Sequence, residues 1–354
     1  MASLVQIAVP APLESQSSRL SETRTHPLTG GMVDTFSRAH TDLRISVTDR
    51  CNIRCFYCMP EEGGDFAPMA RQLSFPQIMR AATTGVRLGV RKIRLTGGEP
   101  LLRPRLAELV ESLAALPLAD FALTTNAVLL DSQAKALRTA GLRRLNIHLD
   151  TLDPQRFHQI TRRNDLSRVL AGIDRALSLG FEIKLNAVTI RDLTEPDLIP
   201  MTRFARERGM EIRFIEFMPL DAQGLWNTQQ VLTAAEMRRR LEAEFGPLEP
   251  IPDTDPRAPA VEYRFADGSK VGFIASVSQP FCQNCNRLRL TADGKLRYCL
   301  FAREETDLRA ALDDDSDQEL ERLFRKTVWE KWAGHNIGDA AFEPPQRPMY
   351  SIGG

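Results

Sequence analysis

Cys51-Asn52-Ile53-Arg54-Cys55-Phe56-Tyr57-Cys58 places three thiols within eight residues, at the spacing C-x3-C-x2-C. The run leading into it, Leu43-Arg44-Ile45-Ser46-Val47-Thr48, alternates apolar and polar residues and predicts a strand. The cysteines therefore fall on the loop leaving a strand end, where parallel α/β proteins place their chemistry. Thiolates are soft ligands suited to iron–sulfur clusters and to zinc. Three ligands leave a fourth metal position open, as in a reactive site; a zinc knuckle borrowing a distant fourth ligand is the alternative.

Outward from this loop the alternation recurs. Ser74 is a candidate N-cap for a helix over 75–88. Lys92–Thr96 reads as a strand and runs into Gly97-Gly98-Glu99-Pro100. Further strands are expected at Phe121–Thr125, Leu145–Leu149, Ile183–Val188 and Ile212–Phe217. Amphipathic stretches near 104–115, 132–139, 155–179 and 196–207 separate them, and a helix is expected at 233–244. Six βα units predict a parallel sheet with right-handed crossovers, too short for a closed eight-stranded barrel. An open doubly wound sheet and a partial barrel both fit. Five prolines between Gly246 and Pro259 mark a connection. Beyond it lie expected strands Val271–Ser276 and Leu288–Leu290, and helices near 303–312 and 316–332.

The totals exclude some classes. Forty-six basic residues balance 46 acidic ones, so no global field draws nucleic acid or an anionic membrane. No segment approaches the ~18 apolar residues of a spanning helix. The six cysteines form two tight groups in a long chain, which is not a secreted disulfide scaffold. That pattern points to two metal sites in a reducing cytoplasm. The first residues do not follow the charged-then-apolar order of a signal peptide, and residues 1–40 are expected to be a mobile extension.

Gly97-Gly98 allows a sharp turn and a close approach to a ligand, and the Glu99 carboxylate could receive an ammonium; alone, the motif also suits an ordinary strand-to-helix turn. The second group is Cys282-x2-Cys285 with Cys299, and no histidine stands near as a fourth ligand. An odd ligand count suggests a second cluster with an open position, with zinc plus a distant ligand as the alternative. Arg287 and Arg289 share one strand face and could clamp a phosphate, or be solvated. Arg44, Arg94, Lys184 and Arg213 sit on predicted barrel strands, where a buried cation needs a partner or an anionic ligand.

C-x3-C-x2-C with an aromatic before its last cysteine resembles the signature of radical S-adenosylmethionine (SAM) enzymes, and Gly97–Pro100 resembles their motif for the amino end of SAM. The resemblance implies a [4Fe–4S] cluster on Cys51, Cys55 and Cys58 whose open iron takes SAM, and it favours the partial (β/α)6 barrel. Cys282-x2-Cys285-Asn286-Arg287-x-Arg289-Leu290-x2-Asp293-Gly294-x-Leu296-x2-Cys299-Leu300 resembles the C-terminal signature of the GTP 3′,8-cyclase family of molybdenum-cofactor biosynthesis. That resemblance runs from Leu43 to Gly354.

The second resemblance implies another [4Fe–4S] cluster, on Cys282, Cys285 and Cys299, engaging the guanine of GTP. The SAM-derived radical would take the ribose 3′ hydrogen, and C3′ would attack C8 to give 3′,8-cyclo-7,8-dihydro-GTP. Carried over by position, Tyr57, Gly98, His148 and Met218 would contact SAM. Arg44, Arg94, Thr125, Lys184, Arg213, Arg287, Leu288 and Arg289 would line the GTP side. His148 stands where the family usually has serine; it is larger and can titrate. Gly353 and Gly354 would thread into the active site. The same resemblance implies an electron donor, a downstream cyclic pyranopterin monophosphate synthase and a homodimer. The expected division is 41–245 for the barrel, 246–340 for the second-cluster and substrate region, and 341–354 for the tail. A peptide-modifying radical SAM enzyme and a zinc-stabilised binding module are the competing readings.

Overall fold

The strand that leads into the first cysteines is β1 (Asp42–Ser46). Leu43 and Ile45 on one face are fully buried, while Arg44 and Ser46 turn to the other. In the computed structural model the described residues are 26–353, excepting 65, 222–223, 253–254, 315, 338 and 340–341. Gly354 and residues 1–25 lie outside them.

β2 (Lys92–Thr96), β3 (Asp120–Thr125), β4 (Arg144–His148), β5 (Glu182–Thr189) and β6 (Glu211–Glu216) follow β1 side by side, all parallel. Helices α1 (Phe75–Arg87), α2 (Leu106–Ala114), α3 (Leu130–Thr139), α4 (Pro154–Thr161), α5 (Leu166–Ser178), α6 (Leu198–Glu207) and α7 (Ala234–Phe245) make the connections and cover the apolar face. These are the six expected βα units. Ser74 caps α1, accepting from the Gln77 amide while the Gln77 side chain returns the bond.

The stretch expected as one helix over 155–179 is two. Asp153 caps α4, and Arg162 ends it in the left-handed region at φ 55°, so the chain turns before α5. The region beyond the prolines supplies β7 (Glu249–Pro250), β8 (Val261–Arg264), β9 (Lys270–Ile274), β10 (Arg287–Leu290), β11 (Lys295–Arg297) and β12 (Thr306–Asp307). β10 pairs parallel with β1 and β9 parallel with β6, which extends the barrel sheet at both edges. The helix expected at 303–312 is only α8 (Arg309–Asp313), because β12 takes up the residues before it. α9 (Asp317–Trp329) then packs on α1, and α10 (Met349–Ile352) closes the described chain.

Residues 32–40, expected within a mobile extension, pack instead. Asp34 is buried and accepts from Arg38 (2.6 Å) and His40 (3.1 Å). Arg289 of β10 at one edge and Ile274 of β9 at the other line the same cavity, so the sheet curves round it as an open barrel.

Candidate functional site between two cysteine triads

The loops leaving β1 and β2 interlock. The Gly98 amide donates to the Thr48 carbonyl and the Glu99 amide to that of Arg50, each at 2.8 Å. A Cβ on Gly98 would come within 2.5 Å of the Arg50 carbonyl oxygen, so a side chain cannot be placed there. Glu99 is fully buried, and its carboxylate accepts from the amides of Leu101 (3.0 Å) and Asn126 (2.7 Å) and the Thr125 hydroxyl (2.7 Å). Burial pushes its pKa up to about 7. Its carboxylate fixes the exit of β3, the structural role that the motif alone also allowed. From there Asn126 donates to Asn52 (2.8 Å) and reaches the Cys51 sulfur (3.8 Å).

Cys51, Cys55 and Cys58 line a cavity of about 860 Å³ with Tyr57, Thr96, Gly97, Gly98 and His148. All three thiols are free. Burial, with the nearby Glu99 charge, pushes Cys51 up to about 12; burial and the neighbouring thiols hold Cys58 well above the usual thiol range. Cys51 and Cys58 therefore ionise only beside a compensating cation, which an iron cluster supplies. Among the described residues no three His, Cys, Asp or Glu side chains converge closely enough for a single metal ion. Three thiols with no oxygen ligand among them are a soft donor set that suits an iron–sulfur cluster.

The Tyr57 hydroxyl donates to Asp150 (2.5 Å) and lies 2.6 Å from His148 Nε2. Burial disfavours the imidazolium, but the Asp150 carboxylate holds the His148 pKa well above its ordinary value. Asp150 is pinned in turn by the Val188 amide (2.8 Å).

A second cavity, about 1080 Å³, contains Cys282, Cys285 and Cys299 with Arg44, Arg94, Arg213, Arg287 and Arg289. Thr124, Asn186, Ile215 and Met349 line both cavities, so the two triads flank one shared wall. Asn186 Oδ1 on that wall is buried and has no hydrogen-bond partner among the described residues. Burial raises the Cys285 thiol, but Arg287 and Lys331 overcome this and bring it down to about 6. Arg38 holds the loop from behind, donating to the Cys282 (2.7 Å), Ala333 (2.8 Å) and Trp332 (2.5 Å) carbonyls.

The strand cations separate into two groups. Lys184 pairs with Glu211 (2.8 Å), and Arg213 bonds Glu211 and Glu262. Lys184 does not line the cavity, and these carboxylates already offset both charges. Arg44 and Arg94 bond no side chain among the described residues, and Nε of each is buried without a partner. Burial, then the facing Arg289 and Arg94, depress the Arg44 pKa; burial brings Arg94 and Arg289 down to about 10. Arg44, Arg94, Arg287 and Arg289 thus bring four guanidiniums to one cavity, an arrangement suited to an anion.

Other expected contacts fall differently. The Leu288 side chain is fully buried on the apolar face, so only its backbone is left for a ligand. Thr125 lines the first cavity and gives its hydroxyl to Glu99. Met218, expected on the SAM side, lines the arginine cavity. Gly353 has φ 75°, and its carbonyl accepts from Arg289 Nη1. A Cβ there would stand 2.9 Å from that of Ser46, so the tail lies directly on the inner face of β1. Met349 and Tyr350 line the first cavity with Cys51, Cys55 and Cys58, which brings α10 to the first triad.

Known proteins share these features. Residues 45–205 match the family described as the radical SAM superfamily, and 210–337 match Molybdenum Cofactor Synthesis C. The GTP 3′,8-cyclase of Rhodopirellula baltica is 48% identical over 91% of this chain and 92% of its own. The chain belongs to the GTP 3′,8-cyclase family. A second member, from Mycobacterium sp. (strain KMS), is 46% identical over 93% of this chain and 95% of its own. The crystal structure of Streptococcus suis SuiB shares the fold, with a TM-score of 0.58 at 14% identity over 81% of this chain and 67% of that one. As a radical SAM family member, the GTP 3′,8-cyclase fold carries a [4Fe–4S] cluster and SAM. Among the described residues, no helix is long and apolar enough to cross a membrane.

The sequence analysis missed Asn126, Asp150, Asn186, Arg38 and Lys331. Asn126 was within reach of the strand-end rule, since it directly follows Thr125 of β3. Lys331 and Arg38 carry no local signal, because only the folded chain brings them to the second triad.

Proposed function

We propose that this chain cyclises GTP to 3′,8-cyclo-7,8-dihydro-GTP, the first step of molybdenum-cofactor biosynthesis. The observation that carries the reading is the group of four guanidiniums that bond no carboxylate among the described residues, beside one cysteine triad and across a shared wall from the other. A nucleoside triphosphate supplies the missing negative charge; a peptide substrate does not.

Cys51, Cys55 and Cys58 would hold the first [4Fe–4S] cluster, and Cys282, Cys285 and Cys299 a second that meets the guanine. When bound, the first cluster supplies the electron that splits SAM into methionine and the hydrogen-abstracting 5′-deoxyadenosyl radical. Gly97 and Gly98 bring backbone to the SAM side, and Tyr57, His148 and Asp150 brace that wall. Arg44, Arg94, Arg287 and Arg289 bind and orient the triphosphate, while Lys184 and Arg213, with their glutamates, frame its far side. Gly353 would bring the tail against Arg289 and the inner face of β1 beside the substrate. The segments 41–245, 246–340 and 341–354 serve as barrel, substrate region and tail. An external electron donor, a downstream synthase and a homodimer complete the proposal.

The test is anaerobic reconstitution with iron and sulfide, followed by incubation with SAM, reductant and GTP. 5′-Deoxyadenosine formed in step with a cyclised nucleotide supports the reading. SAM cleavage indifferent to GTP would remove it.

A further inference from the structure

Behind the second triad, just beyond α9, Lys331 is only 4% exposed. Its ammonium lies 3.3 Å from the Cys285 sulfur and donates to the carbonyls of Tyr298 (2.8 Å) and Arg287 (3.1 Å). Among the described residues no carboxylate pairs with it. A buried ammonium is costly unless an anion compensates it, and the anion in reach is a thiolate sulfur. Arg287 Nη2 stands 3.5 Å from the same sulfur on the cavity side. The two cations are not equivalent: Arg287 lines the cavity and is open to a ligand, whereas Lys331 faces the sulfur from the protein side.

We propose that Lys331 is a positioning residue for the second cluster, its fixed counter-charge, which seats Cys285 and raises the cluster's reduction potential. This rests on the reading that the second triad binds a cluster. Cluster potentials follow net charge and hydrogen bonds to the sulfurs, and a buried ammonium supplies both. The two carbonyl bonds hold the ammonium in register with β10 and with the approach to Cys299. Lys331 does not line the cavity, so a bound ligand leaves its charge unpaired and directed at the sulfur, whereas it would neutralise the ligand-facing arginines.

The experiment uses the full chain with Cys51, Cys55 and Cys58 changed to Ala, so that only the second triad can load iron. Lys331→Met, Lys331→Gln and Lys331→Arg are compared with this parent for iron per chain, thermal unfolding and midpoint potential by spectroscopically monitored redox titration. The expected result is a more negative potential, or lost iron, in Lys331→Met and Lys331→Gln, with recovery in Lys331→Arg. Should Lys331→Met not fold, Lys331→Gln, which keeps a donor, decides. Unchanged potential and iron in the folded neutral variants would overturn the proposal. A parent that binds no iron would remove the underlying reading of the triad and the proposal with it.

Discussion

Arg289 donates a hydrogen bond to the backbone carbonyl of Gly353, tying the inner face of β10 to the tail. The same short segment reaches the first cavity, where Met349 and Tyr350 stand in its lining with Cys58. Arg347 secures it from outside, bonding Asp293 (3.0 Å), Glu305 (3.1 Å) and the Ser351 carbonyl (3.2 Å). The tail thus connects the arginine cavity to the first triad.

Gly353→Ala should unseat that tail. A left-handed backbone for alanine costs about 1–3 kcal/mol, and its Cβ would press on Ser46. Turnover should fall at least ~10-fold, the rate equivalent of about 1.4 kcal/mol. Iron content should not change. Iron assay beside product formation checks this.

The two groups of cations predict stability changes of opposite sign. Arg44 is buried among like charges, so Arg44→Met should leave the ligand-free chain as stable or more so. GTP affinity should drop ~10-fold or more, the loss of a charged hydrogen bond of about 1.5–3 kcal/mol. Lys184→Met breaks the pair with Glu211 and should destabilise the chain by about 1–3 kcal/mol. Denaturant unfolding and equilibrium GTP binding measure both.

Acid should weaken the N-terminal cluster. Burial lowers the His40 pKa from 6.5 to about 4, so the unfolded chain takes up this proton before the folded one does. Stability from neutral His40 is complete above pH ~6.5 and is lost as pH falls toward about 4, by up to about 3 kcal/mol. His40→Gln should remove that dependence. Urea unfolding of both chains at pH 7, 5.5 and 4 shows whether the difference narrows on acidification; a constant difference would refute it.

Much of this was legible in the sequence because alternation and strand-end placement are local. Leu43, Ile45, Ile93 and Leu95 announced β1 and β2, and the cysteine loop followed. The break at Arg162 was hidden because the left-handed cap is taken by an arginine rather than the glycine that would have signalled it. The union of β9 and β10 with the barrel edges was not legible, since pairing across more than fifty residues leaves no periodic trace. Charge counting found the arginines of the site but could not tell free from paired: Glu211 lies two residues before Arg213, whereas Glu262 reaches it only through the fold.

The central claim is that a SAM-derived radical formed beside the first triad reaches the ribose of GTP held beside the second, across the wall the two cavities share. GTP carrying deuterium at C3′, incubated with the reconstituted chain, SAM and reductant, tests it most directly. The account predicts deuterium in the 5′-deoxyadenosine, abolished by Cys58→Ser. Turnover of GTP with 5′-deoxyadenosine free of deuterium, or a chain that takes up zinc and leaves GTP untouched, would contradict it.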